Sequence, residues 1–285
     1  MAAGDARLNP MNRQEFEKAA HRVAEELGVP EEGLDYFRYH RDRLYRSWGY
    51  FRLFTRPLGA VLEVGPYYAF TPFMLRDRAK SYAVLDAPDP FLNPLLPRYG
   101  DHDIHCAVAD LSDLFGEGES PTYRLPFDDN AFDLLICWEA MEHFNFNPVP
   151  FVRDVHRVLK PGGVACITVP NVASGMNRLK LLLGRNVLHP VSSFIRTADY
   201  VVGRKKKHLE YHWHEYTLDE LVSLFQQLGF EIASAGYLAS YEMRPGVSAS
   251  RRAFRVLASA LSVVWPSLGK LCALEVAKPR PSPPA

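Results

Sequence analysis

The sequence predicts an α/β protein: an open, mostly parallel, seven-stranded sheet with helices on both faces. Seven short apolar runs recur after residue 60: AVLEVG (60–65), SYAVLD (81–86), DIHCAVAD (103–110), FDLLICW (132–138), GVACITVP (163–170), FEIASAGY (230–237) and LCALEVA (271–277). Several are apolar at consecutive positions, as strands buried on both faces are. Between them lie helix-compatible segments such as TPFMLRDRA, PVPFVRDVHRVLK and TLDELVSLFQQLG. Strands and helices in alternation build parallel crossover units.

Each element has a local reason. Residues 1–9 read as a loose tail. Asn12 caps a helix through Leu27, with Glu15 three positions on and Phe16, Ala20, Val23 and Leu27 at helical spacing. Gly28-Val29-Pro30 ends it. A second helix, from about Leu34 to Phe54, is dense in aromatics and arginines, and Arg56-Pro57-Leu58-Gly59 breaks it. Residues 1–57 thus form an N-terminal helical cap, 58–278 the sheet domain, and 279–285 (KPRPSPPA without its lysine) a disordered end. The interval 171–217 interrupts the rhythm, is rich in His, Lys and Arg, and reads as a lid or insertion. Thr217 with Glu220 makes a capping box for the helix after it. The stretch RRAFRVLASALSVVWPSLGK is amphipathic; it reads as a helix covering the sheet, or as a peripheral contact with a membrane surface.

Composition removes several classes. The chain has 285 residues, 47% hydrophobic and 23% charged, which excludes disorder and fibrous repeats. Thirty-three basic residues balance 33 acidic ones, so no basic surface for bulk nucleic-acid binding is expected. Cys106, Cys137, Cys166 and Cys272 form no CxxC pair and read as buried, reduced thiols. No apolar leader and no span of roughly 18 apolar residues is present, so a cytoplasmic protein is expected, with peripheral contact at the inner membrane face as the variant reading.

In an open parallel sheet, ligands bind outside the carboxyl ends of the strands. Strand one ends in Glu63-Val64-Gly65, strand two in Asp86, 23 positions after Glu63, and strand three in Asp110. A carboxylate at the end of strand two is placed to accept hydrogen bonds from ribose hydroxyls. Phosphates would want more glycine and less acid there. The pattern therefore favours a nucleoside ligand without phosphates.

LPFDDNAFDLLICWEAMEHF (125–144), RDVHRVLKPGGVACITVPN (153–171) and the VLEVG opening strongly resemble class I S-adenosylmethionine-dependent methyltransferases. The resemblance spans about residues 58–171 and implies a Rossmann-like fold with S-adenosyl-L-methionine as cofactor. It places Glu63, Gly65 and Tyr67 at the methionine part, Asp86 at the ribose, Asp110 with Leu111 at the adenine, and the Cys137–Glu139 backbone at the pocket edge. The usual glycine-rich turn is here Gly65-Pro66-Tyr67-Tyr68-Ala69, so the two tyrosines either close over the methionine moiety or fill the pocket of a non-catalytic scaffold.

Methyl transfer to a hydroxyl wants a general base. His143, in EAMEHF, and His214 are the two candidates. The segment NVLHPVSSF followed by HLEYHWHEYT resembles, more loosely, methyltransferases acting on sugars in bacterial surface polysaccharide pathways. That likeness implies acceptor contacts at His189, His212, Glu215 and Tyr216, and a saccharide or lipid-linked glycan acceptor. A small aromatic acceptor is the other enzymatic reading. Tyr36, Tyr39, Tyr45 and Trp48 are available to stack on a sugar or a ring. For a metal, His208 with His212 or His212 with His214 have suggestive spacing, but no ligand motif is complete and no metal is expected.

Overall fold

The computed structural model describes residues 11–88, 95–116, 120–192, 195, 201–202, 205–206, 211–239 and 249–281. Seven strands make one sheet: β1 (Ala60–Val64), β2 (Ser81–Asp86), β3 (Ile104–Val108), β4 (Phe132–Trp138), β5 (Leu159–Pro170), β6 (Glu231–Leu238) and β7 (Leu271–Ala277). Their spatial order is β3-β2-β1-β4-β5-β7-β6. β1 pairs in parallel with both β2 and β4, whereas β7 runs antiparallel between β5 and β6. The order reverses at β1, which makes the crevice between the ends of β1 and β4 the natural ligand site.

The consecutive apolar residues are explained by two cores, one per face. Val61, Val84, Leu134 and Ile136 pack with Phe16, Phe37, Trp48 and Phe51. Leu62, Leu135 and Cys137 pack on the other face with Phe151, Val155, Leu221 and Phe225. The first core belongs to α1 (Arg13–Leu27), α2 (Glu31–Tyr50) and α3 (Thr71–Leu75); the second involves α4 (Leu111–Phe115), α5 (Pro148–Val158) and α7 (Leu218–Gln227). The amino-terminal helices therefore share one core with the sheet.

Both expected capping boxes form, Asn12 with Glu15 and Thr217 with Glu220. Three boundaries differ from the sequence reading. α2 starts at Glu31, directly after Pro30, because proline suits the entry of a helix. It stops at Tyr50, where Arg52 turns left-handed (φ 55°). β5 begins at Leu159 rather than 163, since Lys160-Pro161-Gly162-Gly163 forms an irregularity inside the strand; the register shifts there and Gly162 takes φ 81°. Downstream, α6 (Gly175–Leu182) packs against α8 (Ala249–Val264). Within the described residues, α8 also contacts the 266–268 turn. Among the described residues no helix is long and apolar enough to cross a membrane. All four cysteines are free; Cys137, Cys166 and Cys272 are buried and Cys106 is half-buried.

Candidate active site

A cavity of about 1460 Å³ opens at the carboxyl ends of the parallel strands. The ends of β1, β2 and β3 deliver Glu63, Gly65, Asp86, Asp110 and Leu111 to its wall, and β4 delivers Trp138 and Glu139. The strand tips are knitted together: Gly65 N–H donates to the Leu85 carbonyl (2.9 Å) and Ala109 N–H to the Asp86 carbonyl (2.9 Å). Gly65 has φ 67°, which glycine adopts without cost. Tyr67 (φ 47°) and Glu139 (φ 52°) also take left-handed backbone at the wall, a conformation costly for side-chain-bearing residues and concentrated at functional sites.

The three carboxylates differ in state. Glu63 is 2% exposed and accepts a hydrogen bond from the Tyr82 hydroxyl at 2.5 Å. Burial, opposed by that hydrogen bond and reinforced by the charge of Asp86, pushes its pKa up to about 8, so it is protonated at neutral pH. Asp86 accepts from the Ala87 N–H (2.8 Å) and lines the cavity. Asp110 caps α4, its Oδ1 accepting from Ser112 N–H at 2.9 Å. Tyr67 stands at the wall beside Tyr36, ring centroids 4.7 Å apart, while Tyr68 is buried in the core behind it. The tyrosine loop leaves the cavity open.

α2 supplies groups that the sequence reading missed or ranked differently. Tyr36, Tyr39 and Arg43 face the cavity, whereas Tyr45 and Trp48 pack around Phe16 and Phe54. Arg43 Nη1 donates to Glu139 Oε2 at 3.1 Å, both side chains nearly buried, and its Nη2 donates to the Tyr36 hydroxyl (3.3 Å). The only local hint of that pairing was an arginine on the aromatic face of the helix.

The cavity is also lined by His143, His189, His212 and Glu215. His143 Nδ1 donates to the Tyr211 carbonyl (3.2 Å); a carbonyl only accepts, so the lone pair sits on Nε2. Burial, then the charges of His212, His189 and Arg43, lower its pKa to about 4 against the weaker pull of that hydrogen bond. His212 Nδ1 lies 2.8 Å from Glu215 Oε1, and its ring meets the His143 ring edge-on at 5.0 Å. Glu142, absent from the sequence reading, lines the same wall; it is 1% exposed and its Oε2 has no hydrogen-bond partner among the described residues. Asn177 Nδ2 reaches Glu215 Oε2 (3.4 Å), adding a further polar group from α6.

Two expected contacts fall elsewhere. His214 is outside the cavity: its Nε2 pairs with Glu220 Oε1 (2.9 Å), the carboxylate that also closes the helix cap. Tyr216 is 3% exposed in the core under α7, held by the Asn171 bridge. Of the Cys137–Glu139 segment, Trp138 and Glu139 line the cavity, while the Cys137 side chain packs into that same core. Of the two histidine pairs considered for a metal, His208 with His212 lies outside the described residues in its first member, and in the second His212 pairs with Glu215 while His214 pairs with Glu220.

Comparison with known proteins bears on the family and the fold. The family described as a methyltransferase domain matches residues 11–235, and the chain belongs to it. A Mycolicibacterium smegmatis protein carrying the name "Probable S-adenosylmethionine-dependent methyltransferase" is 26% identical over 185 residues. The match covers 64% of this chain and 56% of that protein, so the chain spans a little over half the length of this curated relative. Among solved structures, a methyltransferase in complex with the Haloferax volcanii Trm112 methyltransferase activator superposes with a TM-score of 0.52 and 19% identity, over 86% of this chain and 97% of that one. An S-adenosylmethionine dependent methyltransferase from Mesorhizobium loti gives 0.51 and 16%, over 81% and 97%. At these identities the likeness is one of fold.

Proposed function

We propose that the chain is an S-adenosylmethionine-dependent methyltransferase acting on a hydroxyl of a saccharide or glycan acceptor. One observation carries the acceptor reading: besides the three carboxylates, the cavity wall holds the hydrogen-bonding groups His143, His189, His212, Glu215, Asn177 and Lys180. A small aromatic acceptor would favour a dry, apolar wall.

The residues present suit the cofactor. The wall carries carboxylates where a nucleoside offers hydroxyls and an amine, and Asp110 keeps Oδ2 for that amine while Oδ1 caps α4. When bound, S-adenosylmethionine supplies an electrophilic methyl group on a sulfonium. Asp86 orients the ribose, Tyr67 and Gly65 shape the wall at the methionine part, and the aromatic layer of α2 keeps water out. His143 is the base: its Nε2 lone pair takes the hydroxyl proton, while the Tyr211 carbonyl steadies the ring through Nδ1–H and offsets part of the burial that weakens it as a base.

The reading includes a reducing, cytoplasmic setting, consistent with four free cysteines, and contact with a membrane surface near a lipid-linked acceptor, supported by exposed apolar side chains on α6 and α8. Calorimetric titration with S-adenosylmethionine and its demethylated product tests the cofactor step. Micromolar binding is expected, weakened about 10- to 100-fold in Asp86→Ala through loss of charged hydrogen bonds. An Asp86→Ala protein that binds like wild type overturns the assignment. With cofactor bound, methylation of glycan acceptors but not of simple phenols is the expected outcome; the reverse preference overturns the acceptor class.

A further inference from the structure

We infer that Glu142, His143 and His212 form a binding site for one divalent transition-metal ion. One potential ligand atom from each of the three lies within 4.8 Å of the other two. The set joins segments nearly 70 residues apart in the chain, and Trp213 N–H donating to the Glu142 carbonyl (2.8 Å) ties those segments together.

The arrangement resembles a metal centre in its surroundings as well as in its ligands. Each imidazole is oriented through Nδ1, His143 by the Tyr211 carbonyl (3.2 Å) and His212 by Glu215 Oε1 (2.8 Å). Both Nε2 atoms therefore remain to bind an ion, with a carbonyl and a carboxylate behind them as histidine ligands usually have. Glu142 is the second, independent observation. Its carboxyl is buried at the cavity wall with Oε2 lacking any hydrogen-bond partner among the described residues, and Oε1 is 3.9 Å from His143 Nε2. A buried carboxyl group is normally satisfied by hydrogen bonds, by a counter-charge or by a metal. Arg43, whose charge acts on Glu142, makes an ion pair with Glu139 at 3.1 Å.

Two imidazoles and one carboxylate select zinc, cobalt, nickel or iron(II) over magnesium and calcium, which prefer oxygen ligands. Three protein ligands facing a cavity leave coordination positions open. The inference goes beyond the proposed methyl transfer and does not depend on it. An ion and a proton exclude each other at His143 Nε2, so the ion-loaded form and the form that accepts a hydroxyl proton are separate states of one site.

The test uses the tag-free full chain, stripped with a chelator and titrated with zinc by calorimetry and with cobalt(II) by visible absorption. One ion per chain is expected, with a cobalt spectrum of low coordination number and no comparable binding of magnesium. His212→Ala and Glu142→Gln should lose this binding, while Glu215→Gln, which removes only the support of His212, should weaken it about 10- to 100-fold. Unchanged circular dichroism and S-adenosylmethionine titration of the same samples show that the variants are folded. Zinc binding that survives in the His143→Ala/His212→Ala double variant, or equal binding of magnesium, overturns the inference. Cofactor binding without zinc binding overturns this site alone, and zinc binding without cofactor binding overturns the methyltransferase reading alone.

Discussion

Glu63 shows how one residue can carry two demands. Strand β1 places it at the cavity, yet the same placement strips it of water and leaves Tyr82 as its hydrogen-bond donor. Its folded pKa of about 8 stands above the ordinary carboxyl value of 4.5. A group whose pKa is raised on folding leaves stability intact below the unfolded value and withdraws it as pH rises through the folded one. The cofactor-free protein should therefore lose stability between about pH 5 and pH 8 from this group, and Glu63→Gln should remove that part of the loss. Thermal unfolding of both proteins across this window measures it: the advantage of the variant should grow with pH, and a constant difference would show that Glu63 stays ionised. His143 has the opposite displacement. Its pKa is lowered to about 4, so the folded state resists protonation and this group costs stability as pH falls from about 6.5 toward 4.

At the scale of elements, α2 is more than a cover. It packs Phe37, Trp48 and neighbouring rings against the sheet and presents Tyr36, Tyr39 and Arg43 to the cavity from its other side. The Arg43–Glu139 pair joins residues 96 apart and fixes the strained turn after β4. Removing one partner of a buried pair leaves the other charge in a low-dielectric wall, which costs more than the pair itself is worth. A double-mutant cycle with Arg43→Met and Glu139→Gln should give a coupling of about 1–3 kcal/mol in chemical denaturation. Additive effects would mean that α2 is held by its apolar face alone. The glycine-poor turn is understandable at the same scale. Tyr68 fills space between the sheet and α2, so the loop trades flexibility for packing while Tyr67 alone reaches the cavity.

At the scale of the whole molecule, the described residues include a conspicuous apolar exterior. Leu181, Leu182 and Leu183 at the end of α6, and Val263, Val264 and Trp265 at the end of α8, are all exposed, with Leu182 at 84% and Val264 at 86%. The two helices touch, and α6 also lends Met176, Asn177 and Lys180 to the cavity. By sequence α8 carries Arg251, Arg252 and Arg255 in its first half, ahead of the apolar second half. Apolar and basic residues on one helix, with a tryptophan directly after it, suit a surface of anionic lipid. The protein is expected to co-sediment with vesicles containing anionic phospholipid, and Leu182→Asp/Val264→Asp should abolish this while leaving cofactor binding intact. Co-sedimentation undiminished by the substitutions would remove this surface from the reading.

What the sequence determined by itself was everything set by near neighbours. Six of the seven strands begin within a residue or two of their apolar runs, both capping boxes form, and Glu63, Asp86 and Asp110 reach one cavity because each ends a strand. The antiparallel setting of β7, the pairing of Arg43 with Glu139 and the meeting of Glu142 and His143 with His212 were decided by tertiary structure. So was the diversion of His214, which shares a segment and a residue type with His212 but is taken by Glu220. Alternation, capping and burial act within a few residues and leave a pattern in the chain. Which side chain meets which across a cavity depends on how whole elements pack, and adjacent positions carry no record of it.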